Sequence, residues 1–131
     1  MTLEAFIMQM RQLGELPDAI AAAAAPVLEQ AARENAAASR DPNGKTWAPK
    51  KDGSRPLEHA ADAIHAEAAG PTVTLSIEAG APENWHQRLK EEGRHPRRQI
   101  LPSPGDPLPD YLAKPLGEIA QKTIAERLGA R

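Results

Sequence analysis

The chain has no cysteine, only four aromatic residues, and no apolar run that approaches the length of a membrane span. Without thiols there is no disulfide framework and no thiolate metal or redox chemistry. A spanning helix needs about 20 apolar residues, and Met1-Thr2-Leu3-Glu4 lacks the basic head of a secretory signal. The expectation is a soluble protein that carries no export signal and makes no membrane contact. An excess of one charge is missing as well: 16 Lys and Arg face 18 Asp and Glu, for a net charge of −2. Domains that hold nucleic acid by bulk attraction are usually strongly basic, so this balance argues against that class.

Scarce aromatics (Phe6, Trp47, Trp85 and Tyr111) and five consecutive alanines, Ala21 to Ala25, imply a thin, aliphatic core. Association with copies or partners is the expected compensation. At 131 residues the chain fits one domain.

Catalytic signatures are absent too. Ser39, Ser54, Ser76 and Ser103 lack a nucleophile elbow, and there is no Gly-x-x-x-x-Gly-Lys or Gly-x-Gly-x-x-Gly phosphate loop. Glu91-Glu92 reads as a solvated helix end. His59 and His65 are six apart and share no helix face well, while His86 and His95 fall in separate loops. None forms a recognised ligand spacing. No enzyme activity, metal or cofactor is assigned.

What is present divides the chain in two. The first 39 residues hold two prolines and the other 92 hold eleven, so a helix-compatible front precedes a loop-rich rear. Leu3, Ile7, Met10 and Leu13 form an apolar stripe at helical spacing, which Gly14 and Pro17 interrupt. Ile20, Ala24, Val27, Leu28 and Ala31 resume it, with Pro17 suited to a first helical position. Pro26 removes a backbone hydrogen bond at a cost of about 3 kcal/mol, so a kink or break is expected there.

Pro71 to Ala79 alternates apolar and polar residues with β-branched enrichment, the clearest strand in the chain. It needs a pairing partner. Asp62 to Ala69 is ambiguous: alanine and glutamate favour helix, while Ile64, Ala66 and Ala68 alternate ahead of a Gly70-Pro71 reversal. Glu83 to Glu92 suits a short helix closing at Gly93, with Trp85 and Leu89 on one face, and 94–109 reads as a proline-rich loop. Leu116, Ile119, Ala120, Thr123, Ile124 and Leu128 predict a last helix started by Pro115 and ended by Gly129.

The richest block joins these halves. In Asp41-Pro42-Asn43-Gly44 each residue suits its place in a type I turn. Trp47 follows, and burying its indole contributes at most roughly 4 to 6 kcal/mol by area. Tryptophans in a thin core serve more often as anchors than as binding platforms, and Trp47 is expected to pin the loop onto the helical layer. Two basic loops stand on the mildly acidic body. Arg40, Lys45, Lys50, Lys51 and Arg55 lie in the first, and Arg88, Lys90, Arg94, Arg97 and Arg98 in the second. The bland account of the arginines is a solvated loop tip. The alternative is docking, since proline-stiffened segments lose less entropy on binding and arginine is favoured at interfaces and phosphates.

A helix followed by Asp-Pro-x-Gly-x-x-Trp-x-Pro and a basic stretch (Asp41 to Lys51) resembles the phage virion morphogenesis family, the tail-completion proteins of Mu-like and related tailed phages. Arg55-Pro56-Leu57, Trp85-His86-Gln87 and Arg94 to Pro102 resemble further elements of that family in order, over roughly residues 1 to 128. Glu58-His59 replaces the family's Thr-Gly, Trp85 its Tyr-Ala pair, and Ile100-Leu101 its Phe-Leu.

The resemblance implies a strand hairpin at 57–80 and hence an α+β domain: helical 1–39, turn and basic loop 40–56, small antiparallel sheet 57–80, short helix and basic loop 81–109, and C-terminal helix 110–131. It implies a structural virion protein at the head-tail junction, made in the host cytoplasm, that completes the tail or joins it to the head. Its expected partners are copies of itself in a ring, sixfold in the tail context, the head connector, the tail end, and genomic DNA passing through the lumen. Candidate interaction residues are Trp47, Lys50, Lys51, Arg55, Trp85, Arg94, Arg97 and Arg98. The competing reading is a DNA-binding module on loops 45–55 and 88–98, in which Lys50, Lys51, Arg55, Arg94, Arg97 and Arg98 converge on phosphates.

Overall fold

The computed structural model describes residues 2–50, 56–57, 59–78, 98–102 and 105–128. It is an α+β arrangement built on one long helix. Helix α1, Leu3–Ala37, runs 35 residues. Thr2 caps its start, its Oγ1 accepting from the Ala5 N–H at 3.1 Å. A hairpin of β1, Ile64–Ala69, and β2, Thr72–Ile77, packs beside it after a 3-10 turn over Ala60–Ala63. Helix α2, Asp110–Arg127, completes the described fold.

The prolines neither break the first helix nor start the last one. No break occurs near Pro26 or at Gly14-Pro17: both prolines lie inside a continuous α1. The carbonyls they free belong to Leu13 and Ala22, exposed residues at which solvent is available in place of the missing N–H donor. Pro115 likewise does not start the last helix, which begins at Asp110 with Pro109 as its cap. In each case the helix continues across a local defect because packing elsewhere along it outweighs one lost hydrogen bond.

That packed face of α1 is mostly alanine. Ala21, Ala24, Ala25, Leu28, Ala32 and Ala36 are buried, and side chains this small let neighbouring elements approach closely. The bulk comes from the other side: Ile64, Ile100 and Leu112 are the largest fully buried side chains, joined by Trp47 and Leu101. Tyr111 and Asp110 lie near the end of α1, beside Asn35 to Gly44, whereas Leu116 lies beside Ile20 to Leu28. Helix α2 therefore runs antiparallel to α1.

The hairpin settles the ambiguous segment as strand. Ile64 pairs with Ile77, Ala66 with Leu75 and Ala68 with Val73, so these six share the inward face. Gly70 supplies φ +58 at the two-residue reversal. Helix propensity loses at 64–69 because α1 completes the strand's edge. Arg33 donates from Nε and Nη2 to the Ile64 carbonyl at 3.1 and 2.9 Å, and Glu29 Oε1 accepts the Ala66 N–H at 2.8 Å. Two helix side chains thus take the backbone groups that an edge strand would otherwise expose.

Replacing Glu29 or Arg33 by alanine leaves a half-buried strand group without its partner, so each substitution should cost about 1–3 kcal/mol. Urea denaturation followed by circular dichroism checks this.

Candidate functional site

The site is assembled where α1 ends. Ser39 adopts φ +59, the Ser39 N–H bonds to the Ala36 carbonyl at 2.9 Å and the Arg40 N–H to the Asn35 carbonyl at 3.2 Å. This pattern reverses the chain out of the helix. The Asn35 amide then donates to the carbonyls of Arg40 and Asp41 at 3.2 and 3.1 Å, tying the next segment to the last turn.

The expected type I turn follows, closed by Gly44 N–H to Asp41 carbonyl at 3.0 Å. One Asp41 carboxylate oxygen accepts the N–H groups of Asn43 and Lys45, each at 2.9 Å. Gly44 sits at φ +85, and the Asp41 N–H bonds to the Lys45 carbonyl at 2.8 Å. The result is a tight hairpin with a glycine bulge, clasped by the Arg40–Thr46 bridge.

Trp47 is 5% exposed and belongs to the core, as its size suggested. Its N–H bonds to the Ser39 carbonyl at 2.7 Å, and its indole Nε1 donates to the Gln99 carbonyl at 2.8 Å. Arg98 answers from the second segment: Nε reaches the Ala48 carbonyl at 2.8 Å and Nη2 the Pro49 carbonyl at 3.2 Å. Residues 98–101 thus lie against 47–49, and Ile100 and Leu101 plunge into the core beneath them.

Of the candidate interaction residues, the structure brings Trp47 and Arg98 together and leaves Lys50 exposed at the block's edge. Lys51, Arg55, Trp85, Arg94 and Arg97 lie outside the described residues, as do His86, His95 and the helix expected at 83–92. Arg98 is less a solvated loop tip than a clamp. Among the described residues, the exposed cations of this face are Arg40, Lys45 and Lys50.

Three contributors escaped the sequence reading. Asn35 carried no signal beyond its type. The Ile100-Leu101 pair inside a proline-rich stretch was a legible hint of burial. Tyr111 closes the far wall of a shallow hollow of about 420 Å³ lined by Asn35, Arg40, Pro42, Asn43 and Asp110. Its hydroxyl oxygen is buried without a hydrogen-bond partner among the described residues. Burial pushes the phenol pKa up to about 12, with the Asp41 charge adding to it. Among the described residues no cluster of histidine and carboxylate could hold a metal, and no helix is long and apolar enough to cross a membrane. The arrangement offers a stiff, polar and basic face suited to docking.

Comparison with protein-family models, with curated proteins and with solved structures finds no match to this chain.

Trp47→Phe keeps most of the packing but removes the indole N–H that bonds to the Gln99 carbonyl, and should cost about 1–3 kcal/mol. Trp47→Ala should cost about 3–5 kcal/mol. Thermal melts of the two variants separate the hydrogen bond from the ring. Tyr111 is the only tyrosine, so difference absorbance reads it directly. The folded protein should titrate near pH 12, against about 10 when unfolded. Because the folded pKa is the higher, this contribution to stability is complete below about pH 10 and is lost as pH rises towards 12.

Proposed function

We propose that the chain is a structural subunit of a tailed-phage virion, a tail-completion protein that forms a ring at the head-tail junction. One observation carries this reading: the residues on which the family resemblance rests, Asp41 to Pro49, form a single clamped unit at the end of a long helix. A type I turn, a bulge glycine and a buried indole account for each fixed position of Asp-Pro-x-Gly-x-x-Trp. The motif is thus explained by what it builds, a stiff block fixed to the core, whose exposed residues are open to contact with neighbouring protein.

Additional support comes from apolar surface left open. Leu3, Ile7, Met8, Met10, Leu13 and Leu108 are all exposed large hydrophobic residues, more than a thin-cored monomer needs to present to water. Rings arise from head-to-tail contacts that close. In that setting Lys45 and Lys50 offer contacts to an acidic neighbour or, from a lumen, to passing DNA. The DNA-binding module is the weaker reading, because Arg98, one of its six cations, already bonds to two backbone carbonyls.

Negative-stain electron microscopy of the protein alone and mixed with phage tails lacking it tests the proposal. Closed rings, or a new density capping the tail end, are the expected result. Lys45→Glu with Lys50→Glu should weaken tail attachment at least tenfold without lowering the melting temperature. Absence of both rings and tail attachment at every concentration overturns the reading.

A further inference from the structure

The first turns of α1 carry no buried side chain among the described residues. The hairpin runs along α1 from Ile64 beside Arg33 to Gly70, where an added Cβ would stand 4.0 Å from the Asp18 carboxylate. Helix α2 runs back along the same helix. Residues 3–15 extend beyond, and every described side chain among them is exposed. They nevertheless keep the pattern of the buried part. Positions 3, 7, 10, 14, 17, 21, 24 and 28 alternate in steps of four and three, which is one continuous stripe along a helix. Its second half, Ala21, Ala24 and Leu28, lies in the core; its first half, Leu3, Ile7 and Met10, is 69%, 41% and 53% exposed.

A projecting helix of about a dozen residues is marginal in water without a partner, and Gly14 and Pro17 weaken its junction with the body. We propose that this arm pairs with the same arm of a second copy, antiparallel and about a two-fold axis. The choice of occupant rests on charge and shape. Glu4 and Arg11 each follow a stripe residue by one position, so they occupy the same flank two turns apart. Arg11 is the only basic residue before Arg33, and among the described residues neither Glu4 nor Arg11 has an ion-pair partner.

Antiparallel stripes interlock only in registers spaced by one heptad, and three of these set Ile7 and Met10 against stripe positions 7 to 24 of a second copy. In the first, Leu3 fills the space over the second copy's Gly14, Ile7 meets Met10, and Glu4 meets Arg11, each contact made twice. Gly14 is open on this side, with nothing within 4 Å of where a Cβ would stand. In the second, Arg11 faces Arg11 and Glu4 faces Asp18, both repulsive. The third sets Ile7 and Met10 against Ala24 and Ala21, which are already buried within the fold. A parallel pair sets Gly14 against Gly14 and leaves a gap. The first register alone satisfies packing, charge and access.

Such a pair removes less than the about 1,200 Å² at which stable complexes begin, so the contact is reversible and fills at high local concentration. The pair takes up Leu3, Ile7 and Met10 and leaves Met8, Leu13 and Leu108 of the open apolar surface for other contacts; two-fold pairing closes on itself, whereas a ring needs head-to-tail contacts, so the pair is a separate contact from the ring.

Sedimentation equilibrium on the full chain, from micromolar to millimolar, tests it. A monomer-dimer equilibrium is expected. Ile7→Asp should weaken it at least tenfold, while Met8→Asp, on the opposite face, should leave it unchanged. Arg11→Glu and Glu4→Arg should each weaken it several-fold, and an equimolar mixture of these two variants should regain the wild-type affinity as a heterodimer. Circular dichroism confirms that every variant keeps its helix. A monomer at all concentrations overturns the proposal. So does a dimer insensitive to Ile7→Asp and Arg11→Glu, which would point to another surface, or one that the mixture fails to restore, which would exclude this register.

Discussion

Close approach to the alanine face of α1 is the condition on which the rest of the fold depends. Ala21, Ala24, Ala25, Ala32 and Ala36 contribute little buried area themselves. What they provide is proximity. A hairpin, a second helix and the 98–101 segment can all reach one continuous helix, and their Ile64, Ile100, Leu101 and Leu112 side chains supply the apolar area that drives folding. Larger residues on α1 would push these elements apart. With few aromatics available, the fold stays thin.

A thin core specifies its neighbours weakly, and polar pins do the remaining work. Glu29 and Arg33 fix the hairpin's register on the helix by bonding to backbone groups at Ala66 and Ile64. Trp47 and Arg98 fix the loop block in the same way, each giving N–H groups to carbonyls of a distant segment. Bonds of this kind contribute modestly when made and cost more when broken in a buried setting. They therefore act mainly to exclude alternative packings. Tyr111 is the exception, a buried hydroxyl with no partner among the described residues beside the exposed hollow of the loop block.

Stiffness and exposure are distributed unequally along α1. Its later turns carry the body and end in the clamped loop; its first turns continue the apolar stripe, and every described side chain there is exposed. A protein that works by contact with copies or neighbours is served by both ends, one presenting shaped polar backbone and the other apolar side chains. The two surfaces lie at opposite ends of one helix of about 50 Å, so engagement of one need not block the other.

Sequence alone determined the features whose geometry closes within a few residues. The Asp41 to Gly44 turn, the Gly70-Pro71 reversal and the alternation of β2 were readable because turn and strand chemistry is local. The large indole also announced its own burial. Tertiary structure decided everything that depended on what lay opposite. Ala66 and Ala68 became strand because Glu29 and Arg33 were waiting at the edge; α1 crossed Pro17 and Pro26, and α2 crossed Pro115, because packing outweighed single lost hydrogen bonds. Arg98 became a clamp because the carbonyls of Ala48 and Pro49 came within reach. No sequence pattern encodes such a meeting, since its energy resides in groups brought together only when the chain has folded.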